Sequence, residues 1–260
     1  MLWIGGPPGS GKTTVATRLA RRHGLRWYNA DTRTWAHRDR ALRDGNEAAQ
    51  RWEALTPSER RSQTPTDMVT MSLHRERGEL VIDDLARMPR SPLIVAEGSC
   101  VSPALVTDTS RKVWLLPTAE VQRERLSGRD GNANELYVLL AAEIERDAHE
   151  TGVQILTVDG SRGIDETVAA VEHLLAAALE EGPRAETAAD RRALLREANV
   201  AVTGQLRAYF ARPWAEGDAD STIRTFLCEC GDPECDASID ATVGAVAARA
   251  ALAPGHEAMR

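Results

Sequence analysis

Five short, largely apolar runs punctuate the first 160 residues, and stretches of helical character lie between most of them and after the last. The runs are Met1 to Gly5, Leu25 to Asn29 (ending in Ala30-Asp31), Pro92 to Ala96, Lys112 to Leu116 and Val153 to Val158. Runs of this length, closed by glycine, proline or charge, predict buried strands. The stretches between them predict helices. Val15, Ala16, Leu19 and Ala20 keep helical spacing after the first run. Residues 32–63 are polar and helical in character, with Trp35 and Trp52 embedded. Thr64-Pro65-Thr66-Asp67 is a helix start with proline at an early position, predicting a helix to about Met88, before Pro89. Thr118 opens a short helix that Ser127-Gly128 breaks, and Glu135 to Glu150 sets Leu136, Leu139, Leu140 and Ile144 on one face. Asp165 opens a helix striped by Val168, Val171, Leu174, Leu175 and Leu179.

Strand alternating with helix predicts an α/β protein with a five-stranded parallel sheet and helices on both faces, a three-layer α/β/α architecture. Ligands of such sheets sit at the C-terminal ends of the strands. That rule makes Gly6, Asp31, Glu97 and the segment after Leu116 neighbours in space. Gly182-Pro183 interrupts a charged stretch and marks a boundary. Residues 1–182 are therefore read as one domain and 186–260 as a small, mainly helical appendage. The appendage carries a long helix striped by Leu194, Ala198, Val202, Leu206 and Tyr209, a cysteine-bearing turn, and an alanine-rich helix.

The loop after the first strand reads Gly-Pro-Pro-Gly-Ser-Gly-Lys-Thr from Gly6 to Thr13, a complete G-x-x-x-x-G-K-[ST] motif between a strand and a helix. Glycines let backbone N–H groups turn inward around a phosphate, and the helix N-terminus adds its positive dipole end. Gly6, Gly9, Ser10, Gly11, Lys12, Thr13 and Thr14 are the expected nucleotide-binding residues. Lys12 reaches the β- and γ-phosphates, and the Thr13 hydroxyl is suited to ligate Mg²⁺. Asp31, at the end of the second strand, is read as the group that orients or deprotonates an acceptor, with a helix cap as its bland alternative. Glu97, after a buried strand beside the loop, is expected to contact Mg²⁺, with a turn carboxylate as the alternative. Arg123, Arg125 and Arg129 follow the fourth strand and are candidates to fold over a triphosphate, Arg125 and Arg129 being the preferred pair, with Arg146 a further candidate. Trp35, His37 and Arg38 either line an acceptor pocket or, for Trp35 above all, pack in the core. His74 and Arg75 are expected at the surface.

Composition narrows the setting. The chain has 260 residues, 42% hydrophobic, 27% charged and only 4% aromatic, so a core of Leu, Val, Ile and Ala is expected. A net charge of −7 argues against nucleic acid as the main partner. No run approaches the length of a membrane span. The phosphate loop begins too early for a secretory signal to precede it, and the cysteines do not form a secreted disulfide framework, so the cytoplasm is the expected compartment. Cys228, Cys230 and Cys235 stand around a tight Gly231-Asp232-Pro233 turn. They are read either as reduced thiols or as a Zn²⁺ site whose fourth ligand is open among His256, Cys100 and a nearby carboxylate.

On the strength of the loop, Asp31, Glu97 and the arginine segment, residues 1–180 resemble the P-loop small-molecule kinases, the relatives of nucleoside monophosphate, shikimate and gluconate kinases. The resemblance implies a P-loop NTPase fold, ATP and Mg²⁺. It gives Asp31 the acceptor-binding or base role and places Arg125 and Arg129 in an arginine-bearing lid. No Asp-x-Asp acceptor motif is present, so the acceptor stays open. AAA+ motor ATPases would show an apolar strand ending Asp-Glu, where this chain has Glu97-Gly98; transporter ATPases and GTPases would show Leu-Ser-Gly-Gly and Asn-Lys-x-Asp, both absent. The expected function is an ATP-dependent phosphotransferase acting on a hydroxyl or phosphate of a small molecule. The alternative is a nucleotide-regulated binding protein whose C-terminal segment contacts a partner of unknown identity.

Overall fold

The computed structural model describes residues 1–127 and 131–259. Its strands fall on the five apolar runs: β1 Leu2–Gly5, β2 Arg26–Asn29, β3 Ile94–Glu97, β4 Lys112–Pro117 and β5 Gln154–Val158. They form one parallel sheet in the order β2-β3-β1-β4-β5. The helices of this part are α1 Lys12–His23, α2 Thr34–Arg43, α3 Glu47–Ala54, α4 Pro57–Arg61, α5 Pro65–Met71, α6 His74–Arg87, α7 Ala119–Leu126, α8 Gly131–Thr151, α9 Ile164–Leu174 and α10 Ala176–Glu181. Beyond them lie α11 Ala188–Phe210, the antiparallel hairpin of β6 Ile223–Leu227 and β7 Ser238–Thr242, and α12 Val243–Ala248.

Alternation along the strands builds two cores. Leu2 and Ile4 of β1 point to the face covered by α1 and α9, where they meet Leu19, Val168 and Val171. Trp3 points to the other face, among Val81 and Leu85 of α6 and Leu140 and Ile144 of α8. Because the side-chain period of a strand is two, each strand feeds both layers, and the central strands β1, β3 and β4 are largely apolar. The C-terminal part packs closely on this frame. α11 lies against β2, α2 and the 3₁₀ turn Ala30–Arg33, and it covers its own hairpin through Val202 and Leu206. The hairpin is an element that the reading of this part as mainly helical does not include.

Two helical expectations change. The stretch from Thr64 to Met88 is two helices, α5 and α6, separated at Leu73, which adopts φ +59°. A leucine in the left-handed region carries a backbone cost of about 1–2 kcal/mol. Its side chain is buried with Ala41 and Ala49, and that apolar burial offsets the strain. On α8, Leu140 and Ile144 are buried, but Leu139 turns to solvent at 42% exposure, so the buried stripe is narrower than its leucines suggest.

Candidate active site

The phosphate loop begins at a glycine whose surroundings leave no room for a side chain. Gly6 has φ +137°, and a methyl group there would lie 2.3 Å from the Leu115 carbonyl oxygen. Gly9 and Gly11 also have positive φ, and Gly11 caps α1 in the left-handed conformation. Lys12 is the first residue of α1 and is buried at the base of the loop. Ser10 Oγ is buried and accepts no bond from the described residues. An inward-facing loop at a helix N-terminus, with a buried ammonium beside it, is a site built for an anion.

Thr13 Oγ1 donates to Glu97 Oε1 at 3.1 Å, which joins α1 to the end of β3. Glu97 is buried, and its Oε2 has no partner among the described residues. Burial pushes this carboxyl up to about 7 against the attraction of Lys12; Asp31 adds to the rise and the Thr13 hydrogen bond opposes it. A buried carboxylate oxygen without a donor, next to a threonine hydroxyl, fits a hard divalent cation such as Mg²⁺, which takes oxygen ligands.

Asp31 sits in the 3₁₀ turn after β2. Asn29 caps that turn by accepting from the Asp31 N–H at 2.8 Å, so Asp31 itself is not the cap and its side chain stays 60% exposed. It faces a cleft of about 640 Å³ that also takes in Gly9, Lys12, His74, Arg77 and Arg125. Leu136, Tyr137 and Leu140 of α8 and Arg162, after β5, close other sides. Arg125 lies across the loop, donating to the Gly9 carbonyl at 3.0 Å, and Gln122 donates to the Pro8 carbonyl at 3.1 Å. Arg129, its expected companion, lies outside the described residues.

Several candidates are placed elsewhere. Trp35 packs on Tyr209 and Trp214, at and just after the end of α11, at ring-centroid distances of 5.5 and 5.6 Å. His37 is buried against Asp84 at 2.9 Å, and Arg38 donates to the Met71 carbonyl at 2.6 Å. None of these three lines the cleft. Arg123 is exposed on α7, and Arg146 pairs with Asp147, Glu143 and Glu150 on α8. Arg75 does pair outward, with Glu143, but His74 does not belong to the surface: it turns into the cleft. Burial, and then the charge of Arg77, lower the His74 imidazole to about 4.

His74 and Arg77 are among the cleft residues that sequence reasoning missed, with Tyr137 and Arg162. Arg77 is buried, donates to the Ala30 carbonyl at 2.7 Å and stands 3.8 Å from Asp31 Oδ1. It thereby holds the turn that presents Asp31. One sequence cue existed. Gly78 interrupts the helical run, and a methyl group there would meet the Cys100 carbonyl at 2.7 Å. A glycine inside a helix signals close approach, here of the start of α6 to the loop after β3.

Sheet order, loop and cleft together define a P-loop nucleotide-binding protein. The chain belongs to the family described as an AAA domain, which matches residues 3–150. That family carries the AAA name, although β3 ends in Glu97-Gly98 rather than in the Asp-Glu expected of AAA+ motors. Comparison with curated proteins gives no match. Among solved structures, shikimate kinase from Acinetobacter baumannii in complex with shikimate is 18% identical with a TM-score of 0.40, covering 68% of this chain and 93% of that one. Shikimate kinase from Aquifex aeolicus is 19% identical with a TM-score of 0.38, over 70% and 99% of the two chains. A sugar kinase from a Janibacter species is 18% identical with a TM-score of 0.37, over 69% and 95%. Similarity at this level carries no argument about substrate.

Proposed function

We propose that the protein is an ATP-dependent phosphotransferase that acts on a hydroxyl or phosphate of a small molecule in the cytoplasm. The observation that carries this reading is the placement of Asp31: an exposed carboxylate on the same cleft as Lys12 and Thr13. A carboxylate so placed is a means of binding and orienting a second substrate beside the phosphate loop. In this reading the loop amides from Gly9 to Thr14, with Lys12, hold the phosphates of ATP. Thr13 and Glu97 hold Mg²⁺, which when bound neutralises phosphate charge. Asp31 orients the acceptor hydroxyl and takes its proton. Arg125 and, from the same arginine segment, Arg129 stabilise negative charge on the transferring group, while His74 and Arg77 form the acceptor side of the cleft. A net charge of −7 favours a small acceptor over nucleic acid.

The test is ADP release from Mg·ATP, alone and with pooled nucleosides, nucleotides, sugars and aminocyclitols, beside a Lys12→Ala control. The expected result is turnover stimulated by one pool and absent from the control. ATP binding without stimulation by any pool overturns the reading in favour of a nucleotide-regulated binding protein whose C-terminal segment meets a partner.

A further inference from the structure

Three cysteines that the phosphate site leaves unused converge with a histidine at the far end of α1. Cys228 and Cys230 follow β6, the chain turns through Gly231 at φ +86°, and Cys235 precedes β7. His256 arrives from the C-terminal tail just after Gly255, which also has positive φ. The ligand atoms of the four residues all lie within 4.8 Å of one another. His256 Nδ1 is 3.5 Å from Cys228 Sγ and 3.6 Å from Cys235 Sγ. A tetrahedral zinc, bonded at about 2.3 Å to sulfur and about 2.0 Å to nitrogen, sets neighbouring nitrogen and sulfur ligands roughly 3.5 Å apart. We propose that Cys228, Cys230, Cys235 and His256 form a structural Cys₃His zinc site that fastens the C-terminal tail and the β6–β7 hairpin to the phosphate-loop helix.

The surroundings suit a zinc thiolate centre rather than three thiols packed as apolar groups. The cysteines are buried, whereas His256 closes the cluster from the exposed side. The Ala253 N–H donates to Cys228 Sγ at 3.3 Å, a contact that favours thiolate over thiol. Three thiolates, a neutral imidazole and Zn²⁺ leave one net negative charge. Arg21 of α1 supplies the counter-charge. Its guanidinium is buried and donates to the carbonyls of Cys235 at 2.6 Å, Cys228 at 3.1 Å and Ala237 at 3.1 Å. Among the described residues no carboxylate pairs with it, and a buried cation without an anion is costly. An anionic zinc centre behind those carbonyls relieves that cost. A disulfide would use two of the sulfurs and leave the third, with the histidine, unexplained. Soft thiolate ligands select zinc over magnesium, and four protein ligands leave no open position, so the role is structural.

The consequence reaches the active site through one helix. Arg18, also on α1, bonds Asp236 at 2.9 Å, one residue after Cys235. Lys12 and Thr13 begin the same helix. Zinc therefore holds the helix at one end while its other end holds the phosphates.

The test uses the full chain without a histidine tag, purified under reducing conditions from zinc-replete cells. Elemental analysis should find close to one zinc per chain. Cobalt exchanged for it should give the ligand-field bands of a tetrahedral site together with sulfur-to-cobalt charge transfer. His256→Ala removes an exposed ligand, so the fold should survive, and zinc affinity measured against a competing chelator should fall at least about tenfold. Chelation should lower the thermal midpoint of the natural protein more than that of the variant. Sub-stoichiometric zinc with no cobalt spectrum overturns the proposal, and so does an unchanged zinc affinity in His256→Ala. Neither result depends on whether the protein transfers phosphate.

Discussion

Thr13 Oγ1 donates to Glu97 Oε1 at 3.1 Å, and this bond ties the first turn of α1 to the end of β3. It leaves Glu97 Oε2 buried and without a donor among the described residues, in a carboxyl that burial pushes up to about 7. The group therefore holds its proton more tightly in the folded chain than in the unfolded one, whose value is near 4.5. Between these values the native state binds more protons, so this residue's contribution to stability is fully present below pH 4.5 and is lost as pH rises through 7. The loss amounts to about 3 kcal/mol at most. Denaturant midpoints of Glu97→Gln and the natural protein at pH 5 and pH 8 should isolate it, with the variant gaining relative stability at pH 8. A difference that does not change with pH would remove Glu97 from this role.

Among the described residues, the ion pair that Asp31 makes is with Arg77, at 3.8 Å. Asp31→Asn keeps shape and removes the base. If Asp31 takes the acceptor's proton, kcat should fall about 10²- to 10⁴-fold while the dissociation constant for ATP stays within about twofold. Transfer at an unchanged rate would assign the base elsewhere.

These residues show where sequence suffices and where it does not. The central strands β1, β3 and β4 were legible because they are buried on both faces and so are largely apolar, while the edge strands β2 and β5 mix polar with apolar residues and are only partly buried. The loop was legible because its glycines answer a backbone requirement, as Gly6 against Leu115 illustrates. Asp31 and Glu97 could be brought together from the rule that strand ends share one edge. The acceptor side was not legible. It depends on the break at Leu73, where a buried side chain overrides backbone preference, and no periodicity records such a trade. Once the chain breaks there, His74 and Arg77 swing from an apparent polar face into the cleft. Trp35 and Arg38 were ambiguous for the opposite reason: their partners, Tyr209, Trp214 and Met71, come from distant segments. The arrival of His256 beside the cysteines depends in the same way on the path of the tail.

The close packing of Gly6 predicts a sharp effect from the smallest substitution. In Gly6→Ala the new methyl would stand 2.3 Å from the Leu115 carbonyl oxygen and about 3.0 Å from Ser10 Oγ, at a φ of +137°. Neither β4 nor the loop can yield without losing its hydrogen bonds, so the loop must open. Nucleotide affinity should fall at least about tenfold, since the amides no longer converge on a phosphate. Calorimetric titration with ATP checks this, and circular dichroism shows whether the sheet has survived. Undiminished affinity would mean that the loop is not the nucleotide site.

Arg77 and His74 share one wall of the cleft, but they should answer pH differently. The guanidinium of Arg77 donates to the Ala30 carbonyl, whereas His74 is lowered to about 4 by burial and by Arg77. Its imidazole is therefore neutral from pH 6 to 8 and serves as a hydrogen-bonding group rather than a cation. Its folded value lies below the ordinary 6.5, so its contribution to stability is present above pH 6.5 and is lost as pH falls toward 4. His74→Gln should flatten that acid decline. It should leave the shape of the kcat/KM profile between pH 6 and 8 unchanged, with the rate itself reduced less than about tenfold. Arg77→Lys keeps charge but cannot reproduce the planar donor that fixes the Asp31 turn, and its kcat/KM should fall about 10- to 100-fold with ATP affinity intact. Disappearance of a limb near pH 6.5 in His74→Gln would show that the imidazole carries a proton in the working enzyme, and the wall of the cleft would then be cationic at two positions instead of one.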